Sequence, residues 1–215
     1  MRPTTCVVSL VTLSLLHATS APLAEATSTD DSYPLDSLPR EVSPKGKMEC
    51  PHVDLVRYHG DVVRYHKPVL VYVGFKERLT QFEEVVREVA MEVYGRPPKV
   101  IHHAGTYNCR RVSGYPVLLS EHGLGNGIDV VGFDFAPARR VAPGVPRSLR
   151  REFQVRLGKH WDATSGVAAL HARFLRTLAS RLVQKGIFRV LLGPAYPGHK
   201  GHFHLDCAPY RLVAI

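Results

Sequence analysis

The sequence predicts an α+β domain, and three observations carry that expectation. Two long segments repeat apolar residues at three- and four-residue steps. Short β-branched runs lie before, between and after them. These runs do not alternate regularly with helices, as a doubly wound parallel sheet would require. A chain of 215 residues is long enough for one well-buried core and short for two large domains.

The elements follow in chain order. Residues 69–73 alternate with little polarity and suit a short strand. Leu79, Phe82, Val85, Val86, Val89, Ala90 and Val93 then recur with helical spacing. Gly95 can close that helix, and Pro97 and Pro98 stop its continuation. Residues 99–103 read as a strand. Residues 127–135, GIDVVGFDF, are β-branched, aromatic and punctuated by glycine, which gives another strand. Residues 136–148 are rich in Pro, Ala and Arg and read as a loop. Leu170, Phe174, Leu178 and Leu182 place a second helix over 166–185, with Gly186 at its end. Strands over 187–192 and 201–208 complete the domain. No internal repeat is present.

Hydrophobic residues make up 45% and charged residues 22%, a globular rather than a disordered composition. The formal net charge of +9 favours an anionic partner: nucleic acid, anionic lipid or an acidic wall polymer. The densest basic cluster, Arg147, Arg150, Arg151 and Arg156, lacks tight aromatic interleaving. Charge alone does not choose among them, but the missing interleaving disfavours nucleic acid.

The N-terminus points to export. Arg2 precedes an apolar run over 7–16, and small residues follow at Ala18, Ser20 and Ala21. That is the layout of a secretory signal. The expected organisation is a signal peptide over 1–21, a Ser/Thr/Pro/Asp-rich linker over 22–47 and a domain over 48–215. The apolar run is short for a transmembrane helix, with uncleaved anchoring as the competing reading, and no other stretch could span a membrane. Cys6 precedes the apolar run and is badly placed for lipid attachment. A periplasmic or extracellular location permits disulfides. Cys50, Cys109 and Cys207 remain, so one bridge and one free thiol are expected, with Cys50–Cys109 as the preferred pair. Cysteine as a zinc ligand is the rival, but no C-x-x-C pair is present.

Two segments carry chemistry. The first runs Ser120-Glu121-His122-Gly123-Leu124-Gly125-Asn126-Gly127-Ile128-Asp129, and the second His199-Lys200-Gly201-His202-Phe203-His204-Leu205-Asp206. On a strand His202, His204 and Asp206 share one face, opposite Phe203 and Leu205. Imidazole nitrogen and carboxylate oxygen are typical zinc ligands. Twelve histidines make chance H-x-H pairs plausible, so either segment alone reads as ordinary surface or hydrogen-bonded histidine. Together and in this order they are far more specific.

These segments resemble the S-x-H-x-x-G-x-A-x-D and H-x-H signatures of the LAS zinc peptidases, the group of lysostaphin, D-Ala-D-Ala carboxypeptidases and sonic hedgehog. More closely, the chain resembles the extensin-like C-terminal domain family. Thr106-Tyr107-Asn108-Cys109-Arg110, Leu119-Ser120-Glu121-His122, Leu192-Gly193-Pro194 and His202-Phe203-His204-Leu205-Asp206 match that family's pattern in order. The resemblance implies a small antiparallel sheet flanked by helices, like the hedgehog and D-Ala-D-Ala peptidase domains. It implies Zn2+ held by His122, Asp129 and His204, although iron or manganese takes similar ligands. It implies action on peptidoglycan or another anionic wall polymer. Arg110 would hold a substrate carbonyl or carboxylate, and Ser120 the substrate terminus. Asp206 would orient a histidine, while Glu121 neighbours a ligand but points elsewhere.

One departure stands out. Zinc peptidases of this kind carry an acidic residue three positions before the last histidine ligand, and here that position is Gly201. His202 and His199 are the expected substitutes for its proton-handling role. If neither serves, the chain is a catalytically silent, zinc-containing wall-binding or scaffolding module.

Overall fold

The computed structural model describes residues 33–215; the expected signal peptide, Cys6 and residues 22–32 of the expected linker lie outside the described residues. In chain order the strands and helices are β1 (Leu55–Tyr58), β2 (Arg64–Tyr65), β3 (Val69–Tyr72), α1 (Val73–Tyr94), β4 (Val100–Gly105), β5 (Arg111–Val112), β6 (Tyr115–Leu119), β7 (Gly127–Phe135), β8 (Phe153–Arg156), α2 (Leu157–His160), α3 (Gly166–Lys185), β9 (Val190–Leu192), β10 (Phe203–Asp206) and β11 (Leu212–Ala214). Both long helices lie where the apolar periodicity places them. Phe75, Leu79, Phe82, Val86, Val89 and Val93 form the buried face of α1, and Phe174, Leu175, Leu178 and Leu182 that of α3. Each helix ends on a glycine with positive φ, Gly95 at 70° and Gly186 at 62°, where a side chain would be strained.

The main sheet has seven strands in the order β11-β9-β10-β7-β4-β2, with β8 also on β7. The nine-residue β7 is its spine. β4 runs antiparallel to it, pairing Val100 with Asp134 and Gly105 with Asp129. β10 pairs with Gly127 to Val130 of β7, and β8 with Gly132 to Phe135. The sheet is mixed, because β2–β4 and β9–β11 are parallel. Two further two-stranded sheets, β1–β3 and β5–β6, stand apart from it. The expectation of a small antiparallel sheet is thus corrected to a larger, mixed one. Its extra strands are two to four residues long, too short to show an alternating pattern in the sequence.

A register shift sets which residues face the core. His102 pairs with Gly132 but His103 pairs with Val130, so β7 gains one residue at Val131. Ile128, Val130, Phe133 and Phe135 are all buried in one core cluster, despite the odd spacing between 130 and 133. Phe203 and Leu205 of β10 join the same cluster.

The described part of the expected linker is packed. Tyr33 and Leu35 are buried, and the Tyr33 hydroxyl donates to Asn126 Oδ1 at 2.8 Å. The Leu119 amide donates to the Arg40 carbonyl, and the Val42 amide to that of Val117. Cys50 and Cys109 form the disulfide, with Cα atoms 5.8 Å apart, and Cys207 is a buried free thiol. No helix among the described residues is long and apolar enough to cross a membrane.

His171 of α3 lies inside the core, 5% exposed, and Tyr94 pairs its hydroxyl with His171 Nδ1 at 2.9 Å. Burial pushes its pKa down from 6.5 to about 4, and neighbouring His160 and Lys159 add to the effect. Between these values the unfolded chain binds the proton more readily than the folded one. Stability is therefore full above pH 6.5 and is lost as pH falls towards 4, by about 3 kcal/mol from this residue. Thermal melts from pH 7 to pH 4 should show this decline, and His171→Gln should flatten it. An unchanged slope in the variant would remove His171 from the account.

Candidate metal centre

The site forms where a tight turn feeds β7 and β10 lies beside it. Ser120 caps the turn Glu121–Leu124, its Oγ accepting the His122 amide at 3.4 Å. Gly125 follows at φ 62°, and its missing side chain leaves room for the Tyr72 amide, which an added Cβ would meet at 2.7 Å. The chain then enters β7, and Asp129 falls directly opposite His204 in the β7–β10 register.

Each imidazole has one nitrogen engaged behind it. His122 Nδ1 donates to the Thr106 carbonyl at 2.6 Å, which turns Nε2 inward. His204 Nε2 donates to Asp206 Oδ2 at 2.7 Å, which turns Nδ1 inward. The inward atoms converge: His122 Nε2 is 3.2 Å from His204 Nδ1 and 3.3 Å from Asp129 Oδ2, and His204 Nδ1 is 2.9 Å from Asp129 Oδ1. Among the described residues these three form the one group of His, Cys, Asp or Glu whose ligand atoms approach closely enough to hold a metal ion. Donors about 2.05 Å from a shared centre at tetrahedral angles stand about 3.3 Å apart. The two inward nitrogens, 3.2 Å apart, stand close to that spacing, and Asp129 turns one oxygen to each of them.

Electrostatics agrees with the geometry. Burial alone would raise the Asp129 carboxyl, but hydrogen bonds and charge from His122 and His204 hold it well below the usual carboxylate range. Burial alone would lower His204, but hydrogen bonds and charge from Asp129 and Asp206 push it up to about 9. Two imidazoles and a carboxylate at one point need a shared positive charge. A proton supplies it poorly to three acceptors, and a divalent cation supplies it to all of them.

The remaining sequence-derived residues divide. His202 Nε2 lies 3.7 Å from Asp129 Oδ1, and burial lowers the His202 pKa. The His199 ring lies tilted 4.7 Å from that of His202 and edge-on 5.9 Å from that of His204, so both histidines adjoin the centre. Asp206 also accepts the Ala208 amide at 2.8 Å, which fixes the carboxylate that orients His204. Glu121 points away, held by Arg40 at 2.9 Å and by Asn126 Nδ2 at 2.5 Å. Ser120 is buried and caps the turn. Arg110 donates to the Arg111 carbonyl at 3.2 Å and makes no hydrogen bond to the three converging residues. Sequence reasoning missed the Thr106 carbonyl as the group that fixes His122, because a backbone acceptor leaves no residue-type signal. The acid's place is open: a Cβ built on Gly201 meets nothing within 4 Å. A Cβ on Gly127, where the peptidase signature has alanine, would touch Asp206 Cβ at 3.4 Å, an ordinary contact.

A family model described as extensin-like protein C-terminus matches residues 27–214, and the chain belongs to that family. No curated protein and no solved structure matches the chain.

Removing an inward donor should empty the centre. His122→Ala or His204→Ala should lose most bound metal, as read by elemental analysis of the purified protein. Asp206→Asn should keep metal with affinity lower by about 10- to 100-fold in a chelator competition. His199→Ala and His202→Ala should retain a full equivalent. A full equivalent in both His122→Ala and His204→Ala would refute this centre.

Proposed function

We propose that this extensin-like domain is an exported, zinc-dependent peptidase or amidase acting on the peptides of peptidoglycan. The observation that carries the reading is the convergence of His122 Nε2, His204 Nδ1 and the Asp129 carboxylate, each imidazole fixed from behind by its own acceptor. Three protein ligands of this kind are the set of a catalytic zinc site, which keeps a further position free. The disulfide supports export, since such bonds persist in oxidising compartments. The net charge of +9 suits an anionic wall.

Zinc held there supplies a Lewis acid that polarises a carbonyl and lowers the pKa of a water. The chain's own residues do the rest. His122, Asp129 and His204 fix the position of the reacting centre. Asp206 and the Thr106 carbonyl hold the two imidazoles in the required tautomers. Glu121 is committed to Arg40 and Asn126, and Asp206 to His204 and Ala208, so neither carboxylate is available to move a proton. His202 and His199 remain. His202 Nε2 is near Asp129 without a close hydrogen bond, and it can take a proton from water and return it to a leaving amine.

A second reading has one specific observation behind it. Gly201 offers no acid at the position where related peptidases carry one, and this favours a wall-binding module built on a silent site.

One experiment separates the two. The metal-loaded and metal-free proteins are incubated with purified peptidoglycan, and released fragments are followed by mass spectrometry. Metal-dependent release that His202→Ala lowers by about 100-fold or more supports the enzyme. No release by the natural chain, but release by Gly201→Glu, supports the silent module, since the open space at Gly201 admits the longer side chain. No release by either, with metal bound, would defeat the peptidase reading.

A further inference from the structure

The turns leading from β9 to β10 wall a cleft of about 360 Å³, lined by Pro194, Tyr196, Pro197, Lys200 and Gly201, among others. Small-ligand sites occupy roughly 300–1,000 Å³. The sequence builds this wall locally. The His199 amide donates to the Tyr196 carbonyl at 3.1 Å. Pro197 and Gly198 lie between them, with Gly198 at φ 82°, as a type II turn requires. The Tyr196 amide donates to the Gly193 carbonyl at 2.9 Å, so Tyr196 is held from both sides.

The cleft adjoins the candidate metal centre through His199. The Tyr196 ring, part of the lining, lies 5.2 Å from the His199 ring. The carbonyl of Pro197, another lining residue, accepts from His199 Nδ1 at 2.9 Å. His199 in turn sets its ring 5.9 Å from that of His204. Two ring-to-ring steps of this size are spanned by about three extended peptide residues. A peptide that lies along Tyr196 therefore reaches the three converging residues without leaving the cleft by more than that length.

The lining also states a charge. Lys200 is exposed, and among the described residues it makes no ion pair. No acidic side chain lines the cleft. The chain itself carries no Asp or Glu between Asp162 and Asp206. Lys200 is thus a cation that no carboxylate of its own segment neutralises, set beside two prolines and a tyrosine ring.

We propose that this cleft is the carboxylate subsite of the centre. It seats the part of a peptide lying within about three residues of the bond to be cut, with the peptide laid on Tyr196 and the prolines and a free carboxylate on Lys200. The assignment rests on the peptidase reading of the centre. A chain terminus and an acidic side chain both present such a carboxylate, and the mobile ammonium of a lysine serves either.

The test is calorimetric titration of the purified protein with three synthetic four-residue peptides of the mixed chirality found in peptidoglycan. One ends in a free carboxylate, one is its C-terminal amide, and one is that amide with an internal glutamate. A carboxylate-bearing peptide should bind about fivefold more tightly than the neutral amide. Lys200→Gln should remove that preference and leave the affinity for the neutral amide unchanged. The preferred peptide assigns a terminus or a side chain. Tyr196→Ala should weaken all three alike, and Lys200→Gln, a change at an exposed position, decides alone if Tyr196→Ala loses its fold. Equal affinity for charged and neutral peptides, a preference that survives Lys200→Gln, or no binding of any peptide would overturn the subsite. Because the readout is binding, it is separate from hydrolysis. A preference that depends on Lys200, with no fragments released from peptidoglycan, keeps the subsite and defeats the peptidase reading. Release without that preference does the reverse.

Discussion

The pairing of Asp129 with His204 across β7 and β10 is the contact on which the rest of the site depends. It is a register fact before it is a chemical one. Phe203 and Leu205 flank His204 and are fully buried, as are Ile128 and Val130 on either side of Asp129. A slip of one residue would turn two phenylalanine- or leucine-sized side chains out of the core and the polar ones into it. The apolar faces of the two strands therefore hold the polar faces in place. Asp206, two residues beyond His204 on the same strand, reaches that imidazole as a consequence of the same periodicity.

The third donor reaches the point by a different device. His122 comes from a capped turn rather than a strand, and its ring is aimed by a carbonyl at the start of another segment, that of Thr106. The turn itself is braced from beneath. Glu121 joins Arg40 and Asn126, and Asn126 in turn accepts the Tyr33 hydroxyl. The segment before Cys50 thus supports His122 indirectly, through a buried polar network in which the Glu121 carboxylate has partners. Burying polar groups in this way is favourable only when the set is complete.

Much of this was legible in the sequence, and the reasons for the rest are physical. The helices were readable because α1 and α3 bury one face each, which imposes a 3.6-residue repeat. The three residues that could hold a metal were readable because they fall on the signature positions of the family the chain resembles, not from spacing alone. The segment 33–42 read as linker because Tyr33, Leu35 and Arg40 make their contacts singly, without a period. β2, β5 and β8 are too short to alternate. The extra residue at Val131 was hidden as well: GIDVVGFDF alternates in a way that strict pleating would read with Asp129 and Phe133 on one face. Only the pairing with β4 shows that the phase changes between them.

The site divides into a fixed part and an adaptable part. Asp129 and His204 lie on paired strands and His122 on a capped turn, so their geometry is tied to the core. His199, His202 and Gly201 lie on the run of turns leading from β9 to β10, where the amides of Tyr196, His199 and His202 bond to carbonyls three residues back. That run contributes little to the buried core, and Gly201 stands in open space. A change of residue there costs the fold almost nothing, whereas a change at Asp129 disturbs a buried charge network. The residues that could hold a metal are therefore secured by the core, whereas His199 and His202 rest on a segment the core does not constrain. Glycine at position 201 accords with that division, since the residue there can vary without disturbing the three converging side chains. His202 and His199 are the titratable side chains that this segment places beside those three.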